Sequence, residues 1–273
     1  MKVRKHKKVS RLVRGYFKNK ILSNYGKGIL ADTKNGLFIV DPKDFTITRK
    51  LLKNGTYDWE EIRCLRKYLN KESIVIFVGC HIGTLLIPIA KSVKKVYGFE
   101  ANPKNFELLN YNLLLNKTNN TDIKNIAIGE EERKVNINHN DINTGNSSIA
   151  LSIKKDESLI DMKRLDDLVS EENIDMIIMD IEGYEINAIR GAFKTLKKTK
   201  YFYVEYAPEQ LSEFGMSSTD FINSISDIYR NMYLIGKDNK TTKFENSSWI
   251  NHLKELPQRR GLLLNLLFTN NHI

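Results

Sequence analysis

The densest group of side chains able to do chemistry lies in the segment MDIEGYE, residues 179–185. It places Asp180, Glu182 and Glu185 around a glycine, directly after the apolar run IDMIIM. Such a run predicts a buried strand, and ligands of open parallel sheets bind beyond the carboxyl ends of the strands. Acids at that edge could act as a general base, a substrate clamp or ligands of a divalent cation. Capping of the following helix explains one of these acids but is a poor explanation for all three.

A glycine turn forms the second candidate site. The segment SIVIFVGCHIG is an apolar run followed by Gly79 and Gly83, and Glu100 ends the next apolar run 21 residues after Gly79. In doubly wound folds an acid about 20 residues past the glycine turn hydrogen-bonds ribose hydroxyls. The turn lacks the middle glycine that lets a pyrophosphate approach. It therefore favours a nucleoside ligand without phosphate, such as S-adenosylmethionine, although an ordinary turn with a surface Glu remains an alternative.

Several further polar residues are weaker candidates. Glu205 ends the run YFYVEY and could contact a substrate or be a surface acid. Ser147 and Ser148 could hydrogen-bond a polyhydroxylated substrate or simply form the polar tip of a hairpin. His81 could serve as an acid or base, but a lone His is more often structural. Cys80 is interpreted as a small packing residue.

The elements that must position these residues alternate between strand and helix patterns. After residue 72 this alternation predicts an α/β fold with a doubly wound, mostly parallel, seven-stranded sheet. Asn35-Gly36 and Asp41-Pro42 mark turns of an N-terminal hairpin, and helical spacing follows over residues 58–69. Three segments are predicted: a basic arm over 1–34, an extension over 35–72 and the main domain over 73–273.

Individual elements of the main domain follow from local patterns. IKNIAIG predicts one short strand, EINAIRGAFKTLKK one helix, and MKRLDDLVSE a short helix or turn. Residues 217–233 are predicted as a helix, and GLLLNLLFT as the closing strand. The alternating segment RKVNINHNDINTGNSSIALSI predicts an inserted hairpin.

Charge and composition limit the possible classes. The chain of 273 residues has a net charge of +10, and residues 1–31 carry ten basic side chains and no acid. A helix in this arm would be amphipathic and could dock on the domain, touch an anionic membrane surface or hold an anionic substrate. Nucleic acid is the weakest of these options.

The remaining composition points to an ordinary globular protein of a reducing compartment. Only two cysteines occur, and no Cys or His pair has zinc spacing, so we expect neither disulfides nor a structural metal. No run approaches the ~18 to 20 apolar residues of a membrane span, and the basic start lacks the apolar stretch of a signal peptide. A cytoplasmic location follows as the expectation, with membrane association through the arm as an option.

Taken together, these motifs resemble the FkbM family of class I S-adenosylmethionine-dependent methyltransferases. FVGCHIG and FEANP look like that family's D-x-G-A-N-x-G and F-E-P-N-P motifs, and AIG, GNSS and LDDL match in order. MDIEGYEINAIRGA resembles its K-I-D-x-E-G-x-E block. The resemblance covers roughly residues 35–270 and leaves the basic arm outside.

The resemblance implies O-methylation of a hydroxyl, commonly on a sugar, glycolipid or polyketide-like metabolite. On this resemblance we expect Asp180 to act in catalysis, with Glu182 or Glu185 positioning the acceptor. Ser147 and Ser148, and Glu205 from its place at a strand end, are the expected substrate contacts. The cofactor residues that it implies are Gly79, Cys80, His81, Gly83, Glu100, Ala101, Asn102 and Ala127.

One departure from the family pattern raises a competing hypothesis. Phe77 stands where the family has an Asp, and Cys80-His81 replace its Ala-Asn. A Phe cannot accept a hydrogen bond from the methionine amino group, and the loss of a charged contact costs on the order of 1.5 to 3 kcal/mol. The chain could therefore be a degenerate methyltransferase fold that serves as a binding or scaffold protein. A nucleic-acid methyltransferase is a third hypothesis, which rests on the basic arm alone.

Overall fold

The computed structural model describes residues 28–44, 46–138, 148–150, 159–236, 240–256 and 261–270. Most of the basic arm and Ser147 lie outside these ranges, so the predictions for them stay predictions. In the described part of the chain, no helix combines the length and apolar character that crossing a membrane requires.

An eight-stranded sheet forms the centre of the molecule. The strands of this sheet are β3 (Ile74–Val78), β4 (Lys95–Phe99), β5 (Thr121–Lys124), β11 (Ile174–Met179), β12 (Thr199–Tyr206), β13 (Asn231–Ile235), β14 (Thr241–Phe244) and β15 (Leu264–Thr269). They follow the spatial order β14-β13-β15-β12-β11-β3-β4-β5, and all are parallel except β14 and β15. The predicted α/β fold with a doubly wound, mostly parallel sheet is confirmed, and β14 adds an eighth strand at one edge.

Helices cover both faces of this sheet, as parallel strands with short connections require. After the extension, the described helices are α3 (Leu86–Ala90), α4 (Pro103–Leu115), α5 (Glu185–Arg190), α6 (Phe193–Lys197), α7 (Pro208–Glu213), α8 (Ser218–Ile225) and α9 (Ser248–Glu255). Two large clusters of buried apolar side chains fill the space between helices and sheet, one on each face.

The N-terminal extension shares one of these two cores and is not an independent unit. It consists of a hairpin, β1 (Ile29–Thr33) and β2 (Gly36–Val40), and two helices, α1 (Ile47–Asn54) and α2 (Trp59–Leu65). A hairpin is present with its turn at Asn35-Gly36, but its first strand lies within the range predicted as the arm. The second predicted turn, at Asp41-Pro42, leads into helix α1 and not into another strand. Apolar side chains of the extension pack with those of β3 in one cluster.

Two asparagines of α4 tie the hairpin to the main domain. The side chain of Asn112 accepts from Ile39 N at 2.6 Å and donates to Ile39 O at 3.3 Å. Asn116 makes the same pair of bonds to the backbone of Leu37, at 3.2 and 2.6 Å. The carboxamides thus replace a neighbouring strand along one edge of β2, which satisfies backbone groups that would otherwise lack partners.

Smaller strands flank the sheet on the side of the predicted insertion. They are β6 (Ala127–Ile128), β7 (Arg133–Val135), β8 (Ile137–Asn138), β9 (Ser148–Ile149) and β10 (Ile160–Lys163). β8 and β9 pair antiparallel, as the predicted hairpin requires, while its tip lies outside the described residues. β6 and β7 both pair with β10 in a separate three-stranded sheet.

Four local predictions were wrong in detail. IKNIAIG forms two strands in different sheets, and the side chain of Asn125 between them donates to Glu100 O. MKRLDDLVSE contains the predicted short helix, a 3₁₀-helix over Leu165–Asp167, but its first two residues form the end of strand β10. EINAIRGAFKTLKK is two helices, and a β-carbon on Gly191, just before the break, would lie 1.8 Å from the carbonyl oxygen of Gly129.

The fourth error concerns residues 217–233. The helix there ends at Ile225, and β13 follows from Asn231. The apolar residues of β13 lie between β14 and β15 and are stabilised by long-range strand pairing, which helical spacing in a single sequence cannot show.

Candidate active site

A cavity of about 1000 Å³ lies at the carboxyl edge of the parallel strands. Its walls come from the glycine turn after β3, the ends of β4, β11 and β12, the strands β6 and β9, and the helices α1, α2 and α7. This is the edge at which ligands of doubly wound sheets bind. The predicted site residues divide into a glycine-turn side and an acidic side of this one cavity.

Strand register brings the acidic side together. Met179 pairs with Val204, so the next residues, Asp180 and Glu205, emerge side by side from neighbouring parallel strands. Glu182 follows in the turn after β11, and its side chain accepts a hydrogen bond from the Gln210 amide on α7. Asp180, Glu182 and Glu205 each offer one oxygen within 4.8 Å of the others.

Burial and mutual repulsion make these carboxylates hard to ionise together. Burial is the largest cause that raises the pKa of Asp180, Glu182 and Glu205, and neighbouring acids raise all three further. The side chain of Asp180 is nevertheless open to the cavity, so a ligand inside could reach it. Acids with pKa values raised towards neutrality are suited to proton transfer at physiological pH.

Glu185 occupies a different position from the one its sequence spacing suggested. Its side chain is buried, it is absent from the cavity wall, and Oε1 accepts hydrogen bonds from Ile181 N at 3.1 Å and Gly183 N at 3.2 Å. The pKa of Glu185 rises to about 7, chiefly through burial, while these backbone bonds oppose the rise. Glu185 therefore supports the turn that carries Glu182.

The N-terminal extension contributes acids that sequence analysis missed. Asp58 and Glu61, three residues apart at the start of α2, both line the cavity. Burial, followed by the charge of Asp58, raises the pKa of Glu61 to about 8. Burial also raises the pKa of Asp58, and the charge of Lys50, 3.9 Å away, opposes the rise at both acids. Their spacing was visible in the sequence, but which surface α2 covers was not.

On the glycine-turn side, Glu100 organises the backbone. Its Oε2 accepts from His81 N at 2.7 Å, and its Oε1 accepts from Asn102 N at 2.9 Å. Burial raises the pKa of Glu100 to about 7 although these bonds favour the charged form. Asn102 also caps α4, because its Oδ1 accepts from Lys104 N at 3.0 Å.

The other predicted cofactor residues differ in their access to the cavity. Gly79, Cys80, His81, Ala101 and Ala127 line it, whereas Gly83 does not. A β-carbon on Gly83 would meet Leu109 of α4 at 2.8 Å, so this glycine permits helix packing rather than ligand approach.

Cys80 and His81 are both shielded from bulk solvent within the turn. Burial raises the pKa of the Cys80 thiol and lowers that of His81 to about 4, against the opposing charge of Asp44. His81 is therefore neutral at physiological pH. A buried thiol with a raised pKa fits the prediction that Cys80 is a packing residue.

Phe77 and Ser148 complete the predicted set. Phe77 is 1 % exposed, packs in the same core cluster as Cys80 and Leu86, and does not line the cavity. The Phe77 side chain therefore does not fill the space that a cofactor would occupy. Ser148 begins β9 and does line the cavity, on the side of the inserted hairpin.

The sheet order and a cavity lined by a glycine turn and by acids define an α/β protein of the nucleoside-binding type. The family model of the methyltransferase FkbM domain matches residues 78–242, which is more than half of the chain. The chain therefore belongs to the FkbM methyltransferase family, as its motifs indicated.

Individual relatives are more distant or match over shorter segments. The 2-O-methyltransferase NoeI of Sinorhizobium fredii is 44 % identical over 57 residues, which cover 20 % of this chain and 24 % of NoeI. The chain thus matches about a quarter of the length of that relative.

Solved structures match over more of the chain. Methyltransferase FkbM of Methylobacillus flagellatus is 19 % identical with a TM-score of 0.45, covering 72 % of this chain and 43 % of its own. TYW2 of M. jannaschii, solved in complex with AdoMet, is 16 % identical with a TM-score of 0.44. The match covers 89 % of this chain and 85 % of the TYW2 chain.

Proposed function

We propose that this protein is an S-adenosylmethionine-dependent O-methyltransferase that acts on a hydroxyl group of a sugar, a glycan, a glycolipid or a related metabolite. Membership of the FkbM family supports methyl transfer. The observation that carries the proposal is that Glu100 and Asp180 line one cavity. The cavity could therefore hold the cofactor on its glycine-turn side and the acceptor on its acidic side at the same time.

The glycine-turn side fits the nucleoside portion of this cofactor. Glu100 follows β4 at the position from which an acid binds ribose hydroxyls, and it lines the cavity. Ala101, Ile126 and Ile128 add apolar wall against which an adenine ring could pack. When bound, the cofactor supplies a methyl group already activated on a sulfonium.

The acidic side fits the requirements of the acceptor. The acceptor oxygen forms a bond to the methyl carbon as the carbon–sulfur bond breaks, and the bonding pair stays on sulfur. The hydroxyl proton must leave, and Asp180, open to the cavity and with a raised pKa, is placed to receive it. The remaining contribution of the protein is alignment of the two reactants away from bulk water.

The polar wall around Asp180 supports the proposed acceptor class. Glu182, Glu205 and Ser148 line the cavity and offer oxygens that accept hydrogen bonds from several hydroxyls of one molecule. The short match to a 2-O-methyltransferase agrees with transfer to oxygen. A polyhydroxylated acceptor is the class best suited to such a wall.

Calorimetric titration with S-adenosylhomocysteine tests the cofactor assignment. We expect one binding site per chain, and Glu100→Gln should weaken it about ten- to a hundredfold because a charged hydrogen-bond acceptor is lost. Glu107→Gln is the matched control, since Glu107 lies exposed on the neighbouring helix α4. Absence of binding at millimolar ligand by the folded protein would reject the enzyme proposal in favour of a non-catalytic binding protein.

Transfer of a labelled methyl group to a panel of glycans and glycolipids tests the reaction itself. Asp180→Asn should abolish the transfer while S-adenosylhomocysteine still binds, because Asp180 lies on the acidic side of the cavity. Transfer to nitrogen or carbon acceptors alone would contradict O-methylation.

A further inference from the structure

The N-terminal extension places a tryptophan in the wall of the cavity. Trp59, the first residue of α2, lines the cavity, and its side chain is only partly buried. Lys34 Nζ lies over the indole ring, 4.6 Å from its centroid, and Lys34 is not part of the cavity wall. The lysine therefore covers one face of the ring from outside, and the apolar surface that remains is turned towards the cavity.

The segment that carries Trp59 is held in an unusual backbone conformation. Asn35 bonds the backbone N–H and carbonyl of Tyr57 at 2.9 and 2.7 Å. Asp58, directly before Trp59, has a φ of +44°, which is uncommon for a residue other than glycine. Strain of this kind concentrates at ligand-binding and catalytic sites. The turn at Asp58 brings three consecutive side chains, Tyr57, Asp58 and Trp59, to the same cavity.

The wall around Trp59 matches the chemistry of a sugar ring. Asp58 and Glu61 also line the cavity and offer carboxylate oxygens to hydroxyl groups. A pyranose carries hydroxyls around its edge and C–H groups on its faces, and those C–H groups pack on the electron-rich face of an aromatic ring. Carboxylates alone suit any polyol, whereas an indole face favours a ligand that has an apolar face of its own.

This wall lies on the same side of the cavity as the proposed reaction centre. Burial is the largest cause that raises the pKa of Asp180, and the charge of Asp58 is the next, so the two carboxylates are close. A sugar ring held on Trp59 therefore has its hydroxyls on the side where Asp180 receives the proton.

We propose that Trp59 is a specificity-determining residue that stacks on a neutral sugar ring of the acceptor, while Asp58 and Glu61 accept hydrogen bonds from its hydroxyls. This inference rests on the proposed function and narrows its acceptor to a molecule that presents a pyranose ring. The N-terminal extension selects the acceptor, and the glycine turn of the main domain holds the cofactor.

Tryptophan fluorescence tests this contact directly, because the chain has two tryptophans and Trp249 is 0 % exposed. The probes are the methyl glycosides of glucose, galactose, mannose and N-acetylglucosamine, added to the full chain with and without S-adenosylhomocysteine. At least one glycoside should change the emission of Trp59 saturably and protect it from acrylamide quenching. Sorbitol, which carries hydroxyls but no ring, should do neither.

Variants of Trp59 separate stacking from a structural role. Trp59→Ala should weaken binding of the responding glycoside about tenfold or more, because the aromatic face and its buried area are lost. The KM for a glycan acceptor should rise with it, while the affinity for S-adenosylhomocysteine stays unchanged. Trp59→Phe keeps an aromatic face and should retain most of the binding. Tyr111→Ala removes an exposed aromatic side chain of α4 outside the cavity wall and should change nothing.

Each outcome distinguishes this inference from the proposed function. If S-adenosylhomocysteine binds but no glycoside changes the emission, or if sorbitol acts equally, stacking is overturned and the cofactor assignment stands. A response to tetramethylammonium alone would assign the ring to a cationic ligand and overturn the inference as well. Glycoside binding by a protein that binds no S-adenosylhomocysteine would support the sugar contact and reject the methyltransferase.

Unchanged glycoside affinity in folded Trp59→Ala protein would also contradict the role of Trp59. If Trp59→Ala fails to fold, the wild type and Trp59→Phe decide the question. The emission change must then disappear in Trp59→Phe while calorimetry still detects the glycoside, and an emission change that persists would come from Trp249 and overturn the inference.

Discussion

Gly79 lies against the backbone that carries Asp180: a β-carbon at Gly79 would be 1.9 Å from the Asp180 carbonyl oxygen. Gly79 also has a φ of +89°, which favours glycine. The glycine thus lets β3 and β11 end close together, and this contact sets the distance between the two sides of the cavity. The sequence suggested that this residue admits a ligand, and the structure shows that it also admits a neighbouring strand end while lining the cavity.

Gly79→Ala should therefore cost more stability than backbone strain alone. We expect a loss above about 2 kcal/mol in the free energy of unfolding, from strain plus a clash with rigid backbone. Urea denaturation followed by circular dichroism measures it. Gly215→Ala is the matched control, because Gly215 has a φ of +71° but open space around its β-carbon position. Equal losses in the two variants would show that the contact with Asp180 is unimportant.

Asn35 connects the N-terminal extension to the glycine turn. The residue is buried, its Nδ2 donates to Tyr57 O at 2.7 Å and Thr84 O at 2.9 Å, and its Oδ1 accepts from Tyr57 N at 2.9 Å. Asn35→Ala should lower the free energy of unfolding by about 2 to 4 kcal/mol, because three backbone groups lose their partner. It should also weaken S-adenosylhomocysteine binding, since Tyr57 precedes the cavity residue Asp58.

Asn110→Ala provides the comparison for this variant. Asn110 is exposed and makes one side-chain bond, to Phe106 O within its own helix. Its loss should change stability by less than about 0.5 kcal/mol. A stable Asn35→Ala protein with unchanged ligand affinity would contradict the connecting role of Asn35.

The sequence could predict most residues of the cavity wall at the sheet edge, because apolar runs show where the buried strands end. Asp180, Glu205 and Glu100 were identifiable since buried strands are visible as apolar runs, and parallel strands end at a common edge. Asp58 and Glu61 were missed because helical spacing shows that α2 is amphipathic but not which surface it covers.

Glu185 shows the opposite error, since spacing alone made it a catalytic candidate. Its buried carboxylate accepts two backbone N–H groups of the turn, so Glu185→Ala should destabilise the protein by about 2 to 4 kcal/mol. Glu185→Gln keeps an acceptor oxygen and should retain most of the stability and of the methyl transfer. Thermal denaturation and the transfer assay check both variants. A stable but inactive Glu185→Gln protein would restore the catalytic interpretation.

Glu100 should make the free energy of unfolding depend on pH. Its pKa in the folded protein is about 7, chiefly through burial, against 4.5 for an ordinary glutamate side chain, so the folded state holds the proton more tightly. Between these two values the unfolded chain has already released its proton, and stability must fall as pH rises. The contribution is largest below pH 4.5, declines up to about pH 7 and is then constant.

Glu100→Gln removes this titration and isolates its effect. The stability of the wild type relative to the variant should fall by up to about 3 kcal/mol between pH 4.5 and pH 7, and then level off. The hydrogen bond that Gln cannot accept shifts the difference equally at every pH, so it does not alter the slope. Urea denaturation across this range, without ligand, measures the difference. A difference that is flat with pH, or that rises, would show that Glu100 is held in its charged form by the amides of His81 and Asn102.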